Sequence, residues 1–177
     1  MTNSEQEYME QVAICRDVFA KKNKDYGTSW RVLRPIAIVD QLYIKAQRIR
    51  TLQEKKEQRI SDSILDEWRA IVNYGIIALI QEELKDNEEW DIPSDMALAL
   101  FEKHLKESFD LMNNKNHDYG EAWRNMSQES FADLIMTKIL RIKQIIQNNG
   151  KTIISEGIDA NYRDIINYAV FALINQK

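Results

Sequence analysis

Cysteine is almost missing: Cys15 is the only one in 177 residues. That excludes a disulfide framework and a thiol-bound zinc site. Two prolines and five glycines are too few to punctuate an all-β chain, so a mostly helical protein is expected. There is no phosphate-binding glycine loop and no Ser/His/Asp set, which leaves nucleophilic catalysis without support. The two histidines, His104 and His117, are isolated from each other and argue against a histidine metal site. No apolar run reaches membrane-spanning length, and Met1–Glu10 is polar and acidic rather than a signal peptide. A cytoplasmic protein with no membrane partner is the expectation. The net charge of −4 lacks the basic excess of a general duplex-DNA binder, but leaves nucleotides and single strands open as partners.

What the chain does contain is a repeated stretch. Asn23-Lys24-Asp25-Tyr26-Gly27-Thr28-Ser29-Trp30-Arg31 recurs as Asn116-His117-Asp118-Tyr119-Gly120-Glu121-Ala122-Trp123-Arg124, with six of nine positions identical at an offset of 93. Asp40, Lys45, Arg48 and Ile49 match Asp133, Lys138, Arg141 and Ile142 at the same offset, and Asn73-Tyr74 matches Asn167-Tyr168 at 94. This marks a tandem repeat. Around it the apolar periodicity predicts a helix opened by a Ser4/Glu7 capping box and ended at Asn23–Gly27. A second helix is predicted over Pro35–Lys55, and a third over about Asp62–Leu84, capped by Ser61. The Glu54–Arg59 charge run reads as a solvated helix end or loop. In the second copy the predicted helices are Asp95–Asn114 capped by Ser94, one from Ser127 to about Asn148, and, after an Asn149-Gly150 turn, about Ser155–Asn175. The expected fold is all-α: two helix-loop-helix-helix repeats, residues 1–84 and 95–177, joined by a linker at 85–94 and packed as a pseudo-twofold bundle. Each half alone is near the size at which a lone helical core is marginal, which favours one shared core. The assembly would be a monomeric pseudo-dimer or a homodimer.

Two features could carry chemistry. At 3.6 residues per turn, Lys45 falls inside the apolar sector of Ile38, Leu42, Ile49 and Leu52, with Arg48 beside it. Lys138 and Arg141 repeat the exception. Such a lysine either meets an anion in a cleft or covers apolar surface and pairs with a structural carboxylate. On the third helix, Asp66, Arg69 and Asn73 share a polar line, as do Glu156, Arg163, Asp164 and Asn167 in the second copy. These groups could pair with the lysines and arginines, or the carboxylates could hold Mg²⁺. In the repeated stretch, Tyr26 and Trp30 could stack on a base, Arg31 could meet a phosphate, and Asp25 could take a base edge or a metal. Asp118, Tyr119, Trp123 and Arg124 are their counterparts. Alternatively, all of these shape the corner between helices.

At these residues the sequence resembles a bacterial and phage family called nucleotide modification associated domain one. The matching elements are Lys-x-x-Asp-Tyr-Gly-x-x-Trp, Lys-x-x-Arg-Ile, and Asp-Ile-x-Asn-Tyr-Ala. The second copy carries them at Asn116–Arg124, Lys138–Ile142 and Asp164–Ala169. The first carries them at Lys22–Arg31 and Lys45–Ile49. That family is in turn distantly similar to the MazG-like and dimeric dUTPase-like all-α nucleoside triphosphate pyrophosphohydrolases, which bind Mg²⁺ through Glu-x-x-Glu and Glu-x-x-Asp sets. Asp164 sits like the Asp of the second set with Asn161 in place of its Glu. Glu67 stands at the Glu position with Ala70 in place of the Asp. No Glu-x-x-Glu exists on the second helix.

The resemblance implies a Mg²⁺-dependent pyrophosphohydrolase of a normal or modified nucleotide. Glu67 and Asp164 would be catalytic, and Asp66, Glu67, Glu156, Asp159 and Asp164 would hold the metal. Lys45, Arg48, Lys138 and Arg141 would neutralise phosphate, and Asn73 and Asn167 would line the substrate site. Two alternatives stand beside it: a non-catalytic nucleotide or single-stranded nucleic acid binder of a DNA-modification or phage-related system, and a structural partner protein.

Overall fold

A computed structural model describes residues 1–55 and 63–176. Among these residues the regular elements are six α-helices and two short 3₁₀ turns. Helix α1 (Asn3–Tyr26) starts at a capping box of Thr2 and Glu5, ahead of the Ser4/Glu7 pair expected; Ser4 is instead buried. The two pairs have the same spacing; with Ser4 buried, it is Glu5 that accepts from the Thr2 N–H, at 2.7 Å. Tyr8, Val12, Cys15 and Phe19 form its buried stripe. Gly27 ends the helix at φ 68°, its N–H donating to the Asn23 carbonyl, a conformation that favours glycine.

A 3₁₀ turn, Ser29–Val32, leads to α2 (Pro35–Lys55), whose inward stripe is Ile38, Val39, Leu42, Ala46 and Ile49. Helix α3 (Ile64–Glu83) is capped by Ser63 in a box with Asp66. The expected cap Ser61 and Asp62 lie outside the described residues, as do positions 56–59 of the charge run. In the second copy, α4 (Ser94–Tyr119) runs past the expected stop at Asn114 and takes Pro93 as its N-cap, so Ser94 is its first residue rather than its cap. The extension carries α4 to Gly120, at φ 66°, the same glycine-dependent exit as Gly27. Then come a 3₁₀ turn (Ala122–Asn125), α5 (Gln128–Gln147, capped by Ser127) and α6 (Ile158–Ile174, from Gly157 rather than Ser155).

Helices α3 and α6 pack on each other at the centre, and α2 and α5 flank them and touch each other. Helices α1 and α4 each pack against both α3 and α6. The chain therefore folds as two copies of one helical unit sharing a core, with no strand among the described residues. The pseudo-twofold relation is visible in matched ion pairs between α2 and α5. Arg50 Nε lies 3.2 Å from Asp133, and Lys143 Nζ lies 3.1 Å from Asp40. At the central crossing Gly75 permits close approach: a Cβ there would lie 2.7 Å from Ile166 Cγ1. Among the described residues no helix is long and apolar enough to cross a membrane.

His104 on α4 is buried, and neither ring nitrogen has a hydrogen-bond partner among the described residues. Glu83 and Glu107 approach it only to 3.7 Å. Burial holds its pKa below the ordinary value, outweighing the opposing pull of Glu83 and Glu107. Folded protein therefore binds fewer protons here than unfolded chain, so stability rises with pH through this range. That contribution is complete above an unfolded histidine's pKa of about 6.5 and is lost as the pH falls through the lower folded value. Thermal melts from pH 7 down to pH 5 should show a falling Tm whose slope is reduced in His104→Gln. Identical slopes would refute this account.

Candidate functional site

The same local sequence builds a corner in each copy. After the glycine exit, the 3₁₀ turn folds a tryptophan back over the preceding helix. Trp30 Nε1 donates to Asn23 Oδ1 at 3.4 Å, and Trp123 Nε1 donates to Asn116 Oδ1 at 3.1 Å. Beneath each corner lies a cleft, and the two clefts differ.

The first cleft encloses about 520 Å³. Phe19, Trp30, Leu33 and Ile77 give it apolar walls, and Tyr26 and Tyr74 add aromatic surface. Its ionic groups are Lys22, Lys45, Arg69, Asp66 and Glu67. Glu67, only 3% exposed, accepts a 2.6 Å hydrogen bond from Arg48. Lys45 stands 3.6 Å from the other carboxylate oxygen, too far for a hydrogen bond, and that oxygen has none. Asp66 caps α3 and sits 3.6 Å from Arg69. Among the described residues no carboxylate pairs with Lys22. Two amides of the lining are half satisfied. Asn23 gives its oxygen to Trp30, and Asn73 donates to the Cys15 carbonyl at 3.1 Å. Asn23 Nδ2 and Asn73 Oδ1 are left buried without partners. An indole only donates and a carbonyl only accepts, so both amide orientations are fixed.

The second cleft is smaller, about 180 Å³, and is lined by Lys115, Tyr119, Trp123, Asp164, Asn167 and Phe171 among others. Here the corresponding buried groups have partners. Asp164, 7% exposed, lies 2.8 Å from Lys115 Nζ and 2.9 Å from Lys138 Nζ. Burial pulls the Lys115 ammonium down, but the hydrogen bond and charge of Asp164 together outweigh it and hold the group above its ordinary value. Asn167 donates to the Ser108 carbonyl at 3.1 Å and accepts from the Tyr8 hydroxyl at 2.7 Å. At the offset of 93, Tyr8 corresponds to Phe101, which has no hydroxyl to offer Asn73. Tyr8→Phe should therefore cost about 2 kcal/mol, because it orphans a buried carbonyl oxygen. Denaturant unfolding checks this, and a loss under a few tenths of a kcal/mol would contradict it.

The residues singled out from sequence thus separate. Lys45, Asn73, Tyr26, Trp30, Asp66 and Glu67 meet at the first cleft, and Tyr119, Trp123, Asp164 and Asn167 meet at the second. Arg48 and Lys138 reach the cleft carboxylates. Arg31 does not face a phosphate position. Its guanidinium donates to the carbonyls of Glu89 and Asn87 and to Gln81, tying the corner to the linker. Arg124 likewise pairs with Glu7 and Glu121 and lies over the Trp123 ring. Asp25 is exposed outside both cleft linings, and Asp118 sits beside His117 at 3.0 Å. Arg141, Glu156 and Asp159 are exposed. Lys22 and Lys115 are not among the expected site residues, although they match at the offset of 93 and head the two corner motifs.

The donor set does not fit the Mg²⁺ centre that the carboxylates suggest. Glu67 and Asp164 are held by cations on different clefts, Asp66 caps a helix, and Glu156 and Asp159 are exposed. Among the described residues no three His, Cys, Asp or Glu side chains converge, whereas a hard cation needs several oxygens at once.

A family model described as nucleotide modification associated domain 1 matches the chain twice, over residues 22–81 and 115–176. Each match spans one corner, most of its cleft lining and the two helices that follow. No curated protein and no solved structure gives a significant match.

Proposed function

The chain belongs to the nucleotide modification associated domain 1 family, and from that premise we propose that its first cleft binds a nucleoside phosphate without using its own carboxylates for catalysis. The observation that carries this reading is the lining. Aromatic and apolar walls lie in the same cavity as two lysines that no hydrogen-bonded carboxylate satisfies. Apolar and aromatic surface suits a base, and ammonium groups suit a phosphate. The orphaned Asn23 N–H and Asn73 carbonyl belong to two residues of that lining. A nucleobase edge carries the complementary acceptor and donor.

The hydrolytic alternative rests on a distant resemblance and on carboxylates that do not converge, so no catalytic step is assigned. Calorimetry with nucleoside mono-, di- and triphosphates in EDTA should give saturable binding. It should be accompanied by a change in tryptophan fluorescence, because Trp30 lines the cleft. If no nucleotide binds, the reading fails. Release of pyrophosphate from a triphosphate with Mg²⁺ would return the protein to the hydrolases.

A further inference from the structure

The two copies are each other's control, and position 70 is where their clefts diverge. At the offset of 94, Asp164 corresponds to Ala70. The lysines on either side are kept: Lys115 and Lys138 correspond to Lys22 and Lys45 at the offset of 93. In the second cleft one carboxylate bridges the two ammonium groups, at 2.8 and 2.9 Å. In the first, Ala70, Lys22 and Lys45 line one cavity, and position 70 offers no carboxylate to bridge them. Resting on the nucleotide reading above, we propose that the phosphate of the ligand sits between Lys22 and Lys45, where Asp164 sits in the second copy. The second cleft is then closed by its own anion, and only one of the two clefts is a ligand site.

The other charges of the first cleft agree with this placement. Glu67 is engaged by Arg48 at 2.6 Å, and Asp66 stands beside Arg69. Lys22 has no carboxylate partner among the described residues, and Lys45 makes no hydrogen bond to Glu67; Arg69, 3.6 Å from Asp66, is a third cation of the same cavity. The second cleft is about a third of the volume of the first, and its buried amide is partnered at both oxygen and nitrogen, as a permanently closed site would be. The unpartnered Asn73 oxygen, in a residue only 9% exposed that lines the first cleft, has its counterpart satisfied by Tyr8 in the second. The open cleft therefore lacks internal partners at two matched positions, the carboxylate and the hydroxyl.

The test copies the closed cleft into the open one. Ala70→Asp should place a carboxylate between Lys22 and Lys45 and weaken nucleotide binding by about a hundredfold, as expected for displacing two charge-assisted contacts. Lys22→Met and Lys45→Met should each weaken it by about tenfold. Lys24→Met, on the exposed side of α1, serves as the control and should bind as the parent does. Pyrophosphate should compete with the nucleotide for the parent protein, and a phosphate-free nucleoside should bind far more weakly. A folded Ala70→Asp protein with parental affinity overturns the proposal while leaving nucleotide binding intact. If Ala70→Asp does not fold, unchanged affinity in both lysine variants overturns it equally. If the parent binds pyrophosphate but no nucleotide, the functional reading fails, and loss of pyrophosphate binding in the same variants supports the anion site on its own. If neither ligand binds the parent, both inferences fall.

Discussion

Glu67→Ala is expected to lower the unfolding free energy by about 3 kcal/mol, the lower end of what breaking a buried ion pair costs. The carboxylate is 3% exposed, and it faces Arg48 at 2.6 Å and Lys45 at 3.6 Å. Removing it leaves two cations against a largely apolar wall. Their own side chains are 21% and 28% exposed, so water recovers part of the loss and the upper end of the range is not reached. For a chain of this size the expected fall in Tm is roughly 6–12 °C. Glu67→Gln keeps the shape and one acceptor for Arg48, and should cost less than half as much. The amide variant also bears on binding. A neutral amide no longer competes for Lys45, so nucleotide affinity in Glu67→Gln should rise by up to about tenfold as stability falls. Calorimetry alongside chemical denaturation reads both. A Glu67→Ala protein within about 1 kcal/mol of the parent would show that the pair contributes little, and a Glu67→Gln protein with weakened binding would place Glu67 among the groups that contact ligand.

The second large effect is expected at the pseudo-twofold centre. Gly75→Leu should destabilise by about 3 kcal/mol or more through overpacking. Even a Cβ at this position would lie 2.7 Å from Ile166 Cγ1, and α3 and α6 form the centre of the bundle. The corresponding residue in the second copy is Ala169, fully buried, so both copies place a small side chain there. In isolation a glycine in a helix interior costs about 1 kcal/mol relative to alanine. Here close approach of two helices offsets that cost. Restoring volume on the other side, with Ile166→Ala added to Gly75→Leu, should recover a substantial part of the loss. If the double variant is as unstable as the sum of the single changes, the clash is not with Ile166.

The doubled corner was legible from sequence because it is built of local rules. A glycine at positive φ ends a helix, a tryptophan folds back, and in the first copy a proline starts the next helix; each acts within a few residues of chain. The inward lysines were legible for a related reason, since a charge in an apolar sector of a helix requires an anion somewhere. Capping was less legible. Ser4 with Glu7 and Thr2 with Glu5 have the same spacing, and only the burial of Ser4 against the bundle decides between them. The same limit applied to Arg31 and Arg124. A guanidinium fits a phosphate and a backbone carbonyl equally well, and the linker carbonyls that Arg31 meets lie more than fifty residues along the chain.

By itself the sequence determined the repeat, the helices and the inward charges of Lys45, Glu67, Lys138 and Asp164, because periodicity and self-similarity are properties of the chain. It could not determine which charge meets which. Asp164 and Ala70 are only a mismatch in a pair of aligned helices until the fold brings Lys115 and Lys138 onto one and leaves Lys22 and Lys45 beside the other. That decision is tertiary because ion pairing depends on distances between helices. The helical repeat sets which way a side chain points, and only packing sets what it finds there.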